Sequence, residues 1–537
     1  MTDATIEPAQ AAAGNRADPG SIGLFGRWSD LLNPILVREV QQALRGRLFL
    51  ISVAVALLFS LGLATYVAGL GAEPRPGTGR ETFGTGLMGL TILVLFVVPV
   101  QAFQSMRVEL REGISDQLLL SRLKPWRIIT GKLAAAMVQF VLYLAVLAPV
   151  LSTTYLLRGV SVPLIALCIG FALLFCVTAT ALTIAAAAQN VSAALQPVSN
   201  FAVLFLLGLA TLICSSWVVS GELLRELDML LQDPEFWMGV GGIVLLCVVG
   251  IVFAAMVGAA LLAHSYENRS TPFRIFLLVA TGLAFAWVYG TVPVGWRFQA
   301  VYGTTIGVMV ASMAFGWFFV TEPTGLSPRQ CALLPRSKLL RLAMLPLLPG
   351  RDRGLVFLLL MIGGLFLLFW LQLPEVTVAP GASPEAVAAA RRAAYGAVGR
   401  SVDGGMLWRS LGFIAVYTLI YLMLTKLLRN LLPDTQRSGH AARVMLPLLL
   451  LFCILLPVLL DVMVAGGANR WHPGHILNPF WTFEEFYGRS QGWDILWVLS
   501  GIAGVLLLCN LRGLWRSTTE LLNARALRDK ETAVAGQ

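Results

Sequence analysis

A few places in the 537-residue sequence group side chains that could do chemistry. Glu109, Glu112 and Asp116 are spaced so that a helix from Val108 to Leu120 stacks them on one face, opposite a stripe of Leu110, Ile114 and Leu118. Like charges stacked this way weaken an isolated helix by about a few tenths of a kcal/mol per pair. A cationic partner or simply solvent must therefore accept them. Gly131-Lys132 is the only Gly-Lys pair, but a phosphate-cradling loop needs Gly where Trp126 stands and Ser or Thr where Leu133 stands. His472-Pro473-Gly474-His475, followed by Glu484-Glu485, offers metal-ligand types close together. Pro-Gly makes a turn there instead of the helical i, i+4 spacing of a zincin. The segment reads as a polar loop among the aromatics Trp471, Trp481, Phe483, Phe486 and Tyr487, and no metal is expected. The 7 cysteines include no C-x-x-C pair, so neither a zinc site nor a redox motif is indicated.

The elements that must position these residues are membrane helices. The chain is 57% hydrophobic and only 13% charged, against about a quarter charged in soluble domains. Its apolar residues gather into runs, such as Leu48 to Leu70 and Leu133 to Leu156, long enough to cross a bilayer. Reading runs between polar breaks predicts an all-α, polytopic integral membrane protein of about twelve transmembrane helices. The spans of the second half include Leu355 to Leu373, Leu411 to Leu424, Val444 to Val464 and Ile495 to Leu511.

Basic residues resist translocation and so orient the spans. Arg107, Arg111, Arg122, Lys124, Arg127 and Lys132 place the connection after the second span in the cytoplasm. Alternation puts Arg269, Arg274, Arg329 to Arg353, Arg429 to Arg443 and both termini on the same side. The other side carries the acidic segment Glu222 to Glu235 and a loop, Pro374 to Arg409, whose four arginines run against the rule. Residues 1–30 are polar and lack an apolar h-region, so a disordered cytoplasmic tail is expected and a signal peptide is not. The net charge of +10 belongs to cytoplasmic loops and implies no nucleic acid. The remaining divisions are a first group of about six spans over 31–265, a second group of spans over 272–511 and a cytoplasmic tail 512–537. No sequence repeat links the halves.

From Leu32 to Leu44, steps of 100° place Leu32, Ile35, Leu36, Val40, Ala43 and Leu44 on one face and Arg38, Gln41, Gln42 and Arg45 on the other. This predicts an amphipathic helix at the membrane surface. Glu39 falls on its apolar side, where surface anchoring does not explain it. His264 and His440 each sit alone at the cytoplasmic edge, and Asp461 lies near an outer span end; all three read as solvated.

The run Glu109-Leu-Arg111-Glu112-Gly113-Ile-Ser-Asp116-Gln-Leu118-Leu119-Leu-Ser121, followed by Trp126 to Gly131-Lys132-Leu133 opening a span, resembles the permeases of ABC type 2 exporters. Asn33-Pro34-Ile-Leu-Val-Arg38-Glu39 resembles that family's N-terminal interfacial helix. The likeness covers the first half of the chain. It departs from the family pattern at Ser115, where Thr is usual, and at Ser121-Arg122, where Thr-Pro is usual.

What the resemblance implies is a transport subunit without its own nucleotide site. A coupling helix carrying Glu109, Arg111, Glu112, Gly113, Asp116, Leu118 and Leu119 would dock on a separate ABC ATPase subunit. No cofactor is expected in this chain, while ATP and Mg would bind that partner. The further partners are the lipid bilayer and a second permease subunit, identical or not, and the location is the cytoplasmic (inner) membrane. The competing class is a polytopic membrane enzyme such as a lipid-linked glycosyl- or acyltransferase, which needs positioned acid/base groups. The segments Glu222 to Glu235 and His472 to His475 could supply those groups but form no recognisable constellation.

Overall fold

The structure is a computed structural model. It describes residues 34–535 except 70–76, 114–124, 158–159, 190–195, 220–221, 264–267, 324, 327–329, 332–333, 336, 372–403, 432–448, 458–472, 487–488 and 490. Asn33, Asp116, Leu118, Leu119, His264, His440, Asp461 and His472 lie outside the described residues. The regular elements described are all helices, with no strand among them. Eleven are long and apolar enough to cross a bilayer, so this is an all-α multi-pass membrane protein. The expected span Val444 to Val464 is described only over 449–457, which is helical.

The chain forms two compact units, the first ending at Leu262 and the second beginning at Ala263, with Met238–Gly242 counted in the second. The first unit begins with α1 (Pro34–Arg45) and the spans α2 (Arg47–Gly69) and α3 (Thr78–Arg111). After these come α4 (Pro125–Leu156), α5 (Val162–Ala187), α6 (Gln196–Val219), the short α7 (Glu222–Leu230) and α8 (Pro234–Leu262). Gly46 separates α1 from α2, and a Cβ there would stand 3.1 Å from the Ala43 carbonyl oxygen.

In α3 a π-helical stretch, Leu93–Val97, ends two residues before Pro99. Proline crowds the carbonyl four residues back, and the wider π turn makes room for it. Hydroxyls in these apolar helices bond the preceding turn, as Thr82 does to the Thr78 carbonyl at 2.7 Å and Thr180 to that of Cys176 at 2.7 Å. The core collects Phe83, Leu90 and Val94 of α3, Tyr143 and Leu147 of α4, and Cys176 of α5.

α3 ends with the Glu112 N–H on the Val108 carbonyl at 3.0 Å and with Gly113 at φ +67°, a left-handed stop suited to glycine. The expected separate helix from Val108 is thereby corrected. Its first turn is the last turn of the second span, because nothing in the apolar-to-polar switch at Arg107 breaks the helix.

The second unit holds α9 (Ser270–Thr291), α10 (Val294–Val320), α11 (Lys338–Met344), α12 (Arg351–Leu371), α13 (Gly404–Asn430), α14 (Pro479–Phe486) and α15 (Gly492–Ala535). Its core is built on Leu355, Leu358, Phe413, Tyr421 and Leu499. Close approach depends on missing side chains. A Cβ on Gly316 would meet Leu358 at 2.8 Å, and one on Gly354 would meet Phe319 at 2.8 Å. Arg409, expected in an outer loop, is instead a buried residue of α13 with its guanidinium 5.7 Å from the Trp493 ring centre. Aromatic stacking lets the cation stay within the helix.

Candidate functional site

The side chains that the sequence singles out meet where α1 packs against the ends of α3 and α4. Ser105 and Glu109 are one turn apart on α3 and share a face. Lys132 lies two turns into α4, preceded by a buried Gly131. Its ammonium reaches Glu39 Oε1 at 2.7 Å, Glu109 Oε2 at 3.0 Å and Ser105 Oγ at 2.8 Å. The Ser105 hydroxyl donates to Glu39 Oε2 at 3.1 Å, and Arg38 Nη2 donates to Glu109 Oε1 at 2.9 Å.

The side chains of Lys132, Glu39 and Glu109 are only 1%, 7% and 6% exposed. A lone ion so buried would be prohibitively costly, but two acids and two bases balance here and every charge has a partner. Glu39 thus lies on the apolar face of α1 because its partner is in the core, not in water. Glu109 is corrected as a member of an exposed acidic face, since burial and two cations occupy it. Of that face, Glu112 is exposed.

Around this cluster lies a cavity of about 430 Å³, bounded by α1, the start of α2, and the facing sides of α3 and α4. Gln101, one turn before Ser105, and Gln139, two turns beyond Lys132, continue its polar wall. Neither glutamine, nor Ser105, was singled out from the sequence, though polar residues at 101, 105 and 109, one turn apart where the apolar run gives way, carried the signal. Arg107 points elsewhere. It donates to the Gln189 carbonyl at 3.3 Å and the Ser199 hydroxyl at 3.3 Å, and its guanidinium lies 5.4 Å from the Phe103 ring centre. Exposed Arg111 donates to Gln196 Oε1 at 3.4 Å.

The second unit also buries charge near helix ends, including Arg274, which was expected only to flank a span. Arg274, wholly buried at the start of α9, donates to Glu322 at 3.1 Å, to the carbonyl oxygens of Pro346 at 2.9 Å and Gly350 at 3.2 Å, and to that of Leu348. Gly350 N–H returns a bond to Glu322 Oε2 at 2.9 Å. Asp352 at the start of α12 holds Lys426 of α13 at 2.6 Å. The sequence signal was hidden because a buried cation and a flanking one look alike without their partners.

His475 is buried against Trp481, ring centres 4.1 Å apart, and its carbonyl accepts from Thr482 Oγ1 at 2.9 Å. Among the described residues no group of three or more His, Cys, Asp or Glu could hold a metal ion.

Through Arg38 and Glu39, α1 is thus ion-paired to two helices apolar enough to cross a membrane, α3 and α4, on either side of the connection 112–124. Residues 32–219, which hold the whole cluster, match the family described as ABC-2 type transporter. This stretch, about a third of the chain, is similar to the membrane domain of that family. Neither the curated proteins nor the solved structures gave a match.

Proposed function

We propose that this chain is a permease of the ABC-2 type, driven by a separate ATPase subunit and working as an exporter in the cytoplasmic membrane, with α1 and the connection 112–124 on the cytoplasmic side. One observation carries the reading. Glu109 and Lys132 flank that connection and are paired with each other, while Arg38 and Glu39 fasten α1 to both. A push on the connection therefore moves the ends of α3 and α4 as one body and takes α1 with them, instead of being lost in a slack loop.

Glu112, exposed where the connection begins, and Asp116 within it supply carboxylates for a cationic surface of the ATPase. ATP and Mg would be held by that partner, and this chain contributes motion and a path. In this reading it is a transport subunit and not an enzyme. The test is co-purification from mild detergent. The ATPase travels with the wild-type chain and is released by Glu112→Lys combined with Asp116→Lys. An ATPase still bound after both reversals overturns the docking role.

A further inference from the structure

The cavity beneath α1 contains polar groups that the ion-pair cluster does not use. Gln139 sits about 10 Å further along α4 than Lys132. It is 6% exposed, lines the cavity, and its Oε1 has no partner. Gln101 lines the facing wall, and neither of its amide atoms is in hydrogen-bond geometry with a partner although it faces the Tyr143 hydroxyl. Amide groups left this way inside an apolar span call for something to bond. At the mouth, exposed Arg47 and Glu112 also line the cavity and make no ion pair among the described residues. Much of the remaining wall is hydrocarbon, including Leu48, Phe49 and Ala136. The volume of about 430 Å³ falls within the range of small-molecule sites.

Read from the mouth inward, the wall offers a cation and an anion, then neutral amides, flanked by apolar surface. We propose that it binds one zwitterionic membrane phospholipid. The phosphate lies on Arg47, the ammonium on Glu112, and the ester carbonyls accept from the Gln101 and Gln139 amides, whose oxygen and nitrogen ends are interchangeable by a flip. The Glu112 carboxylate at the mouth disfavours a headgroup of net negative charge. The site concerns this chain alone in its membrane and does not depend on an ATPase partner. Because Glu112 also enters the docking proposal, the glutamines carry the test.

The experiment is native mass spectrometry of the full chain, stripped of lipid in detergent and titrated with phosphatidylethanolamine or phosphatidylglycerol. One phosphatidylethanolamine is expected to bind, about tenfold more tightly than phosphatidylglycerol. Gln101→Leu with Gln139→Leu is expected to weaken it by about tenfold or more. Equal binding of the two lipids, wild-type binding by the double variant, or binding of neither lipid overturns the proposal. Should the double variant misfold, Arg47→Gln at the exposed mouth decides: it too must lose phosphatidylethanolamine, and unchanged binding overturns the site. Lipid lost with the ATPase still attached, or the reverse, separates failure of this inference from failure of the docking reading.

Discussion

Both units bury charge near helix ends but use it differently. In the first, the cluster of Arg38, Glu39, Glu109 and Lys132 is made of side chain to side chain contacts that join α1, α3 and α4. In the second, Arg274 is spent largely on backbone carbonyls, so that residues 346–350 are wrapped onto the start of α9, and Asp352 with Lys426 pins α12 to α13. A network of side-chain pairs that ties three helices together makes a joint that can transmit a displacement, whereas a single pair such as Asp352 with Lys426 only pins two helices. A guanidinium caged by carbonyls makes a staple, fixing one conformation of the segment that encloses it. Charges buried near the ends of spans therefore need not share a task.

The largest expected effect is that of Lys132→Met, which leaves Glu39 and Glu109 buried without their main cation. Breaking a buried pair in this way costs about 3–5 kcal/mol, to be read as a fall in melting temperature in detergent. Adding Glu39→Gln and Glu109→Gln should restore most of the stability but not the coupling to an ATPase proposed above. If coupling returns with stability, the joint is no more than a staple.

Asp352→Asn strands Lys426 and should cost a similar or slightly smaller amount, about 3 kcal/mol. Here Lys426→Met should restore stability and ATP-driven transport together. If transport stays lost, the second cluster is a joint as well, and the contrast between the units fails.

Gly354→Ala should destabilise by about 1–3 kcal/mol, since a Cβ would meet Phe319 on both its side chain and its backbone. This sets the scale for purely steric damage in the second unit. Smallest is Arg516→Ala, whose partner Glu520 is one turn away on the same helix and whose own side chain is 82% exposed. Its effect should stay within about 0.5 kcal/mol, and a larger loss would show that exposed charge on α15 has a partner of its own.

Most of the spans were legible because hydropathy reports the solvent that a helix must face, and lipid leaves a strong imprint. Glu39 was legible in another way: a carboxylate among Ile35, Val40 and Ala43 violates the pattern, and the violation marks where a partner enters. Glu109 misled, because local spacing groups it with Glu112 and Asp116, whereas its strongest interaction is with Lys132 on the next helix. Periodicity within one helix carries no record of what packs across from it. For the same reason Arg274 reads as a flanking cation, and Lys426 and the two cavity glutamines passed unnoticed.

The π turn at Leu93–Val97 gives α3 one residue more than a regular helix of the same length would hold. Removing a single residue there would let the segment relax to ordinary winding, with the lipid-crossing length almost unchanged. Everything downstream would then turn by about 100° about the axis. Gln101, Ser105 and Glu109 would swing away together from α4, and Lys132 would lose an acid without any change to its own surroundings in the sequence. Substitutions in that turn can be judged one side chain at a time. A deletion there cannot, because what the turn stores is rotational phase.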